Sequence, residues 1–402
     1  MRLSIFTATH DSKYLNEVYE SIKDQDFFEW VIIYNHGAKK IDFNDNRVKG
    51  FSLDINGGIG FYKMIACGNC SGDALIECDH DDLLAPTAIE EVRKAFQDSE
   101  VGFVYSNSLI TDMNFGKRER YNPAHGWEYR ETDYKGHLLD EPISFEPTPA
   151  SVSRIWYAPD HLRAFRKDVY DKVGGYNPEL KVLDDQDLMC RMYQVTKFHH
   201  IDKGLYVYRV HGDNSWLTYN QDIQNGVYPI YDKYIEKMAL KWADDNELLK
   251  LDLGGRLSKQ EGYLSVDLKD ADINFDLNED WPLKDNSVGV VRAFDIFEHL
   301  TDSIHTMKEL YRVLAPKGYA FIQVPSTDGR GAFQDPTHKS FWNENSFLYY
   351  TNKNWAKYID TPVKFQNIRI YTTEPNEQKV CWTICHLISL KYGYKIPGII
   401  DI

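Results

Sequence analysis

The sequence predicts an α/β protein in which two sheets covered by helices form two successive domains. Short apolar segments typical of strands alternate with segments whose apolar residues recur at helical spacing. Such alternation is typical of a mainly parallel sheet with helices on both faces. The pattern starts twice, near the first residues and again at Lys250, and 402 residues suffice for two or three domains.

The first domain is predicted from alternating strands and helices that start at residue 3. Its predicted strands are 3–7, 30–34, 74–78, 101–105 and 205–211. Its predicted helices are 14–22, a helix from the glycine-rich turn 56–60 to about residue 70, 86–97, 167–173, 185–193 and 220–243. Residues 108–158 are rich in Tyr, Trp, Pro, His and charge, and we expect long loops over a site there.

The second domain is predicted from a new α/β pattern that begins with a strand at residue 250. Further strands are predicted at 262–267, 288–294 and 320–324, with a helix at 303–314. The polar segment 244–247 is the predicted boundary, which gives domains 1–246 and 247–402.

Composition excludes several classes of protein. No apolar run reaches the length of a membrane-spanning helix, and residues 1–5 lead into a strand rather than a signal peptide. The net charge of −15 argues against nucleic acid as a partner. Six scattered cysteines predict reduced thiols, and Cys67 and Cys70 lack the second ligand pair of a zinc site. We therefore expect a cytoplasmic protein, at most peripheral to the inner face of a membrane.

Four polar residues, 79–82, follow the predicted strand 74–78. Carboxylates at Asp79 and Asp81 lie where parallel sheets bind ligands, and carboxylate oxygen suits Mg²⁺ or Mn²⁺ together with a diphosphate. The alternative is a solvated helix start, because acidic side chains complement the helix dipole.

Seven segments of the first domain occur in an order that resembles a family 2 glycosyltransferase with the GT-A fold. They are residues 4–11, 31–37, 56–60, 79–82, 174–176, 184–188 and 208–215, and the resemblance covers nearly all of residues 1 to about 245. It implies metal-dependent, inverting transfer of a sugar from a UDP- or GDP-linked donor to a glycan or glycolipid acceptor.

The resemblance also implies roles for individual residues. The nucleotide-sugar pocket would be lined by Thr7, Thr9, Asp11, Asn35, Asp79 and Asp81. Asn35 stands where the family has an acidic residue, which leaves the preferred base open. Asp81 and His211 would hold the cation, with Asp82 in support, and Asp185 would be the catalytic base. The alternatives are a core histidine at 211 and plain helix capping at Asp184 and Asp185.

The second domain resembles a class I SAM-dependent methyltransferase with a Rossmann-like fold over residues 248 to about 350. The matching segments are 250–267, 281–287, 293–300 and 312–318, and residues 335–338 and 341–342 extend the likeness. S-adenosylmethionine (SAM) would be bound by Gly254, Gly255, Asp267 and Asp276. Arg256 departs from the usual Gly-x-Gly turn and could crowd the methionine end of SAM. Glu298 and His299 would act as acid and base or only close the fourth strand.

The leading hypothesis is an enzyme whose first domain transfers a sugar and whose second domain methylates a sugar. One alternative keeps the glycosyltransferase and makes the second domain a non-catalytic module for acceptor binding or oligomerisation. Another is a glycan-binding scaffold with two inactive domains. A nucleotidyltransferase would need several basic residues for a triphosphate, and only Lys63 lies near the glycine-rich turn. The oligomeric state stays open.

Overall fold

The computed structural model describes residues 1–392 and residue 397, and contacts divide the chain into two compact units. The units are Met1–Ile235 and Glu236–Ile402, and the division falls inside the helix Asn220–Asp245. The domain boundary near Asn246 stays a prediction. Residues 393–396 and 398–402, at the end of the predicted second domain, lie outside the described residues.

The first unit is built on a ten-stranded mixed sheet. Its strands are β1 (Leu3–Thr9), β2 (Glu29–Tyr34), β3 (Val48–Ser52), β4 (Ala74–Glu77), β5 (Leu83–Leu84), β6 (Val101–Thr111), β7 (Tyr129–Tyr134), β8 (His137–Pro142), β9 (Arg163–Arg166) and β10 (Lys197–Arg209). The main path runs β3-β2-β1-β4-β9-β6-β10-β5. Neighbours from β3 to β4 are parallel, as are β6 and β10, whereas β9 is antiparallel to both of its neighbours.

The first unit also contains helices, the last of which runs past the division between the two units. They are α1 (Leu15–Ile22), α2 (Ile59–Asn69), α3 (Ala88–Ala95), α4 (Pro149–Arg154), α5 (Lys167–Lys172), α6 (Asp184–Tyr193), α7 (Ser215–Thr218) and α8 (Asn220–Asp245). Strands β2 and β4 are buried along their whole length, which explains why they are apolar except for Glu29 and Glu77. Ile5, Trp30 and Ile76 are fully buried in one core cluster with Val18 of α1 and Val92 of α3.

The expectation of long loops over residues 108–158 is wrong in part. Strand β6 continues to Thr111, β7 and β8 form a hairpin, and α4 follows. Lys135 and Gly136 connect the hairpin with φ angles of 52° and 86°. Two successive positive φ values match the right-handed twist of the flanking strands, but Lys at the first position hides this turn from sequence reasoning.

The second unit has a seven-stranded sheet. Its strands are β11 (Leu249–Leu253), β12 (Leu264–Asp267), β13 (Ile273–Asn274), β14 (Val288–Phe294), β15 (Leu314–Pro325), β16 (Phe365–Thr372) and β17 (Trp382–Ser389), in the order β13-β12-β11-β14-β15-β17-β16. The first five strands in this order are parallel, and β17 is antiparallel to β15 and β16. The helices are α9 (Ser303–Val313), α10 (Gly331–Gln334), α11 (Glu344–Thr351) and α12 (Lys353–Ala356).

Two further features bear on the type of protein. Within residues 1–392 and residue 397, no helix is both long enough and apolar enough to cross a membrane. All six cysteines are buried and carry free thiols.

Candidate functional site

An acidic loop after β4 meets a histidine after β10 in the first unit. Asp81 and His211 face each other, with 2.8 Å between the carboxylate Oδ2 and the imidazole Nε2. Their side chains are 13% and 16% exposed, so both are partly shielded yet reachable from solvent. One carboxylate oxygen and one imidazole nitrogen at this spacing can serve as two ligands of a divalent cation.

Asp82 fixes the backbone of this loop. Its carboxylate accepts a hydrogen bond from the backbone N–H of Arg209 at 2.7 Å. The buried guanidinium of Arg209 donates to the backbone carbonyl of Asp81 and to Glu17. Burial, together with the neighbouring carboxylates, raises the pKa of Asp82 well above its ordinary value. The loop is thus held by two buried side chains, Asp82 and Arg209.

A chain of polar contacts joins Asp79 to the start of α6. The His161 Nε2 atom lies 3.8 Å from the Asp79 carboxylate and 3.5 Å from the Arg163 guanidinium. Arg163 in turn forms an ion pair with Asp185. The His161 ring stacks on Tyr206 at 4.8 Å, which fixes the imidazole in place. Asp79 and Asp185, far apart in sequence, therefore border one polar region.

A buried lysine lies behind this region. The Lys63 Nζ atom is 2.6 Å from Glu77 and 3.2 Å from Asp184, and the three side chains are 8%, 2% and 5% exposed. Burial raises the pKa of Asp184 to about 6 although Lys63 opposes that shift. For Lys63, burial acts to lower the pKa, but the carboxylates outweigh it and raise the pKa well above its ordinary value.

Asp185 differs from its neighbour in exposure and in charge state. Its side chain is 22% exposed, against 5% for Asp184. Burial acts to raise its pKa, but Arg163 and Lys63 outweigh that effect and hold the pKa below its ordinary value. Asp185 is therefore an ionised carboxylate that solvent can reach at neutral pH.

The glycine-rich turn before α2 lets two segments approach each other closely. A Cβ atom at Gly60 would lie 2.6 Å from the carbonyl oxygen of Asn177 and 3.0 Å from Cβ of Asp184. A Cβ at Gly58 would lie 2.7 Å from the carbonyl oxygen of Leu180. Glycine at these positions brings Lys63 against the acidic start of α6.

The predicted pocket residues on β1 and β2 are largely engaged within the protein. The Thr7 hydroxyl donates to the Cys78 carbonyl at 2.6 Å and accepts from the Trp30 indole at 2.9 Å. The Thr9 hydroxyl donates to the Asp11 carbonyl at 2.6 Å. Asn35 is 5% exposed, and among the described residues its side-chain oxygen Oδ1 has no hydrogen-bond partner.

Aromatic side chains gather in the segment that follows β6. Trp127 lies 4.8 Å from Tyr121, 4.6 Å from Phe145 and 5.3 Å from Tyr157, measured between ring centroids. Tyr157 comes four residues before His161 in the chain. The flat faces of such aromatic rings suit the apolar faces of sugar rings.

The second unit has a glycine turn at the carboxyl end of β11. Gly254 adopts a φ of 77°, and its N–H donates to the carbonyl of Val266 at 2.8 Å. A Cβ at Gly255 would lie 2.4 Å from a carboxylate oxygen of Asp252. Gly254 is thus favoured by its backbone conformation, and Gly255 by the close approach of the Asp252 side chain. Arg256 is 30% exposed, and its guanidinium lies 3.8 Å from Asp270.

The two predicted acidic SAM ligands lie at the end of β12 and shortly after β13. Asp267 ends β12, and its carboxylate accepts from the backbone N–H of Leu268 at 2.7 Å. Asp276 accepts from the backbone N–H of Asn278 at 2.9 Å. In each carboxylate, one oxygen makes no hydrogen bond among those that the structure describes. Both side chains can therefore accept hydrogen bonds from ribose hydroxyls.

Comparison with protein families decides the type of both domains. The family model described as "Glycosyl transferase family 2" matches residues 4–174, and the model described as "Methyltransferase domain" matches residues 251–322. The chain joins a family 2 glycosyltransferase domain to a methyltransferase domain. The predicted fold class, a GT-A domain followed by a Rossmann-like methyltransferase domain, is confirmed.

Curated relatives match the glycosyltransferase domain over part of their length. Chondroitin synthase of Pasteurella multocida (strain Pm70) is 27% identical over 191 residues, which cover 46% of this chain and 17% of the relative. Hyaluronan synthase of Pasteurella multocida is 25% identical over 240 residues, which cover 52% of this chain and 22% of the relative. The chain therefore spans less than a third of the length of these relatives.

Solved structures of similar shape include S. aureus TarS 1-349 in complex with UDP-GlcNAc. That structure has a TM-score of 0.44 and 16% identity, over 65% of this chain and 77% of the other. Mannosyltransferase PcManGT from Pyrobaculum calidifontis, in complex with GDP-Man and Mn²⁺, has a TM-score of 0.38 and 13% identity, over 61% and 75%.

Sequence reasoning missed three residues of the glycosyltransferase domain. His161, Arg163 and Glu77 link the acidic loop to α6, but none belongs to a motif that the resemblance covers. Glu77 alone carried a signal, since a charged residue inside an apolar strand must have a buried partner. The roles assigned to the predicted site residues stay predictions.

Proposed function

We propose that the glycosyltransferase domain transfers a sugar from a UDP- or GDP-linked donor to a glycan or glycolipid acceptor, with inversion at the anomeric carbon. The observation that carries the proposal is the polar connection from Asp79 through His161 and Arg163 to Asp185, which starts on the same loop as the Asp81–His211 pair. It combines a cation-binding pair with an ionised carboxylate in one region. Two matched relatives are named chondroitin synthase and hyaluronan synthase, which supports a glycan acceptor.

The donor would be held at the acidic loop. Asp81 and His211 would bind Mn²⁺ or Mg²⁺, and such a cation supplies neutralisation of the charge that develops on the leaving diphosphate. Asp79 would accept from a ribose hydroxyl. Asn35, whose buried Oδ1 has no described partner, would read the base by accepting from an amino or imino group.

Asp185 would act as the base. As the acceptor hydroxyl attacks the anomeric carbon, its proton passes to the Asp185 carboxylate. The bond between that carbon and the diphosphate oxygen breaks, and its electron pair leaves with the nucleoside diphosphate. Attack from the face opposite the leaving group inverts the configuration. Asp184 has a pKa nearer to neutrality, but it is buried against Lys63, where an acceptor would not reach it. Asp185 is therefore favoured as the base.

The acceptor would lie against the aromatic side chains around Trp127. Tyr121, Trp127 and Tyr157 offer ring faces on the segment that leads to His161. This position suits a sugar that presents a hydroxyl to Asp185.

The methyltransferase domain would bind SAM and methylate a sugar. Gly254 and Gly255 form a turn against which the cofactor would fit. The Arg256 guanidinium lies 3.8 Å from Asp270, and pairing with this carboxylate would keep it away from SAM. SAM supplies the methyl group when bound, and Asp267 would accept from its ribose hydroxyls. A non-catalytic module for acceptor binding is the second candidate.

A ligand panel on the full chain tests these proposals. Melting temperature is measured with UDP-sugars and GDP-sugars, each in Mn²⁺ and in EDTA, and with SAM in a separate arm. We expect one nucleotide class to stabilise the protein in Mn²⁺ only, and SAM to stabilise it independently. No shift with any nucleotide sugar would favour the glycan-binding scaffold, and no shift with SAM would favour the non-catalytic module.

A further inference from the structure

The turn after β14 of the methyltransferase domain brings a carboxylate and two imidazoles together. Glu298 and His299 end the short turn Phe297–His299, and His338 comes from the segment after α10. Each residue can offer one ligand atom, and the three atoms lie within 4.8 Å of one another. The proposed function assigns no role to His338.

Backbone hydrogen bonds fix these segments against each other. The N–H groups of Lys339 and Ser340 donate to the carbonyl of Glu298 at 2.6 and 3.0 Å. The Ser340 hydroxyl donates to the carbonyl of Phe297 at 2.9 Å. The juxtaposition of His338 with Glu298 is therefore built into the fold.

Both imidazoles are oriented through their Nδ1 atoms. The Nδ1 of His338 lies 2.9 Å from the carbonyl of Ala332, so it carries the proton and donates. The Nδ1 of His299 lies 3.1 Å from the Thr337 hydroxyl, which itself donates to Asp335 at 2.7 Å. That hydroxyl must then accept from His299. Each ring keeps Nε2 as a lone-pair donor, the arrangement found around metal-binding histidines.

One oxygen of the Glu298 carboxylate lacks a hydrogen-bond partner among the described residues. Glu298 is 2% exposed, and its Oε2 atom makes no hydrogen bond within the residues that the structure describes. A buried carboxylate oxygen without a partner is costly, and a bound cation would offset that cost. The unsatisfied oxygen is thus a second and independent indication of a ligand at this place.

We propose that Glu298, His299 and His338 bind a divalent cation of the Zn²⁺ or Co²⁺ class. Two imidazole nitrogens and one carboxylate oxygen are donors that such ions prefer, and three protein ligands leave a position open for water or a hydroxyl group. The site lies near the predicted SAM turn, because Ile296 would be 3.1 Å from a Cβ at Gly254. It is separate from the cation site proposed at Asp81.

Cobalt titration of the full chain tests the site. All arms carry Asp81→Asn, which removes the other proposed cation site. The visible d–d absorption of Co²⁺, which strengthens when the six-coordinate aqua ion enters a four- or five-coordinate protein site, reports binding. We expect one equivalent to bind in this parent protein. His338→Ala should weaken binding at least about tenfold, and Glu298→Gln should do the same. The matched control is His305→Ala, which removes a half-buried histidine of α9 outside the cluster and should leave the affinity unchanged.

Two outcomes would overturn the proposal. The first is absence of the stronger Co²⁺ absorption in the parent protein, and the second is equal affinity in the parent and in His338→Ala. Thermal unfolding shows whether each variant is folded. If His338→Ala does not fold, His299→Gln replaces it, and the same loss of affinity is expected. Because Asp81 is absent from every arm, the result does not depend on whether the glycosyltransferase proposal holds.

Discussion

Replacing Lys63 by methionine removes a buried ammonium group that lies between two buried carboxylates. Methionine keeps most of the volume of the side chain, so the lost interactions are those of the charge. Breaking a buried ion pair on one side costs about 3–5 kcal/mol because the remaining charge stays buried without its partner. Arg163, 3.9 Å from Glu77, compensates in part for that carboxylate but leaves Asp184 uncovered. We therefore expect a loss of about 3 kcal/mol in the free energy of unfolding of the first unit.

The loss should depend on pH in a defined direction. Burial already raises the pKa of Asp184 to about 6 with Lys63 present, and removing Lys63 raises it further. A carboxyl group whose pKa is raised in the folded state stabilises the fold at low pH, and this contribution is lost as pH rises through the folded-state pKa. The deficit of Lys63→Met should therefore be small near about pH 5 and largest near about pH 8.

Hydrogen exchange resolved by peptide measures this deficit in the first unit alone. Peptides from β4 and α6 report the free energy of opening where the contacts are lost. Lys167→Met is the matched control, since it breaks the ion pair of Lys167 with Asp171. The side chains of this pair are 26% and 57% exposed, so we expect little change in the free energy of opening. A deficit below about 1 kcal/mol near about pH 8, or one that is equal near about pH 5 and pH 8, would refute the reasoning.

Three further predictions concern the proposed sites. Asp185→Asn should lower kcat by about 10²–10⁴-fold with little change in donor affinity, measured by product formation and calorimetry; near-normal turnover would move the base to Asp184. Asp81→Asn should remove the dependence of UDP or GDP affinity on Mn²⁺, and equal affinity of the unmodified protein in EDTA and in Mn²⁺ would contradict the cation site. Asp267→Ala should weaken SAM binding in calorimetry, whereas Arg256→Gly should leave it intact; binding that appears only in Arg256→Gly would mean that the arginine blocks the cofactor.

The sequence by itself determined the fold class and the order of the motifs. Strand and helix patterns are local, since apolar spacing along a few residues decides which face is buried. The motifs at 4–11, 79–82 and 208–215 likewise lie in continuous segments, so their resemblance to one family could be read directly. For the same reason β1, β2 and β14 agree with their predicted positions within two residues.

Only the tertiary structure decided which charges meet. The pairing of Lys63 with Glu77 and Asp184, and of Arg163 with Asp185, joins residues on four different elements. Nothing local in the sequence specifies such contacts, because they depend on the order of strands in the sheet. The same holds for the approach of His338 to Glu298. Burial and neighbouring charges then set the direction of the pKa shifts of these groups, and both are properties of the packed chain rather than of any segment.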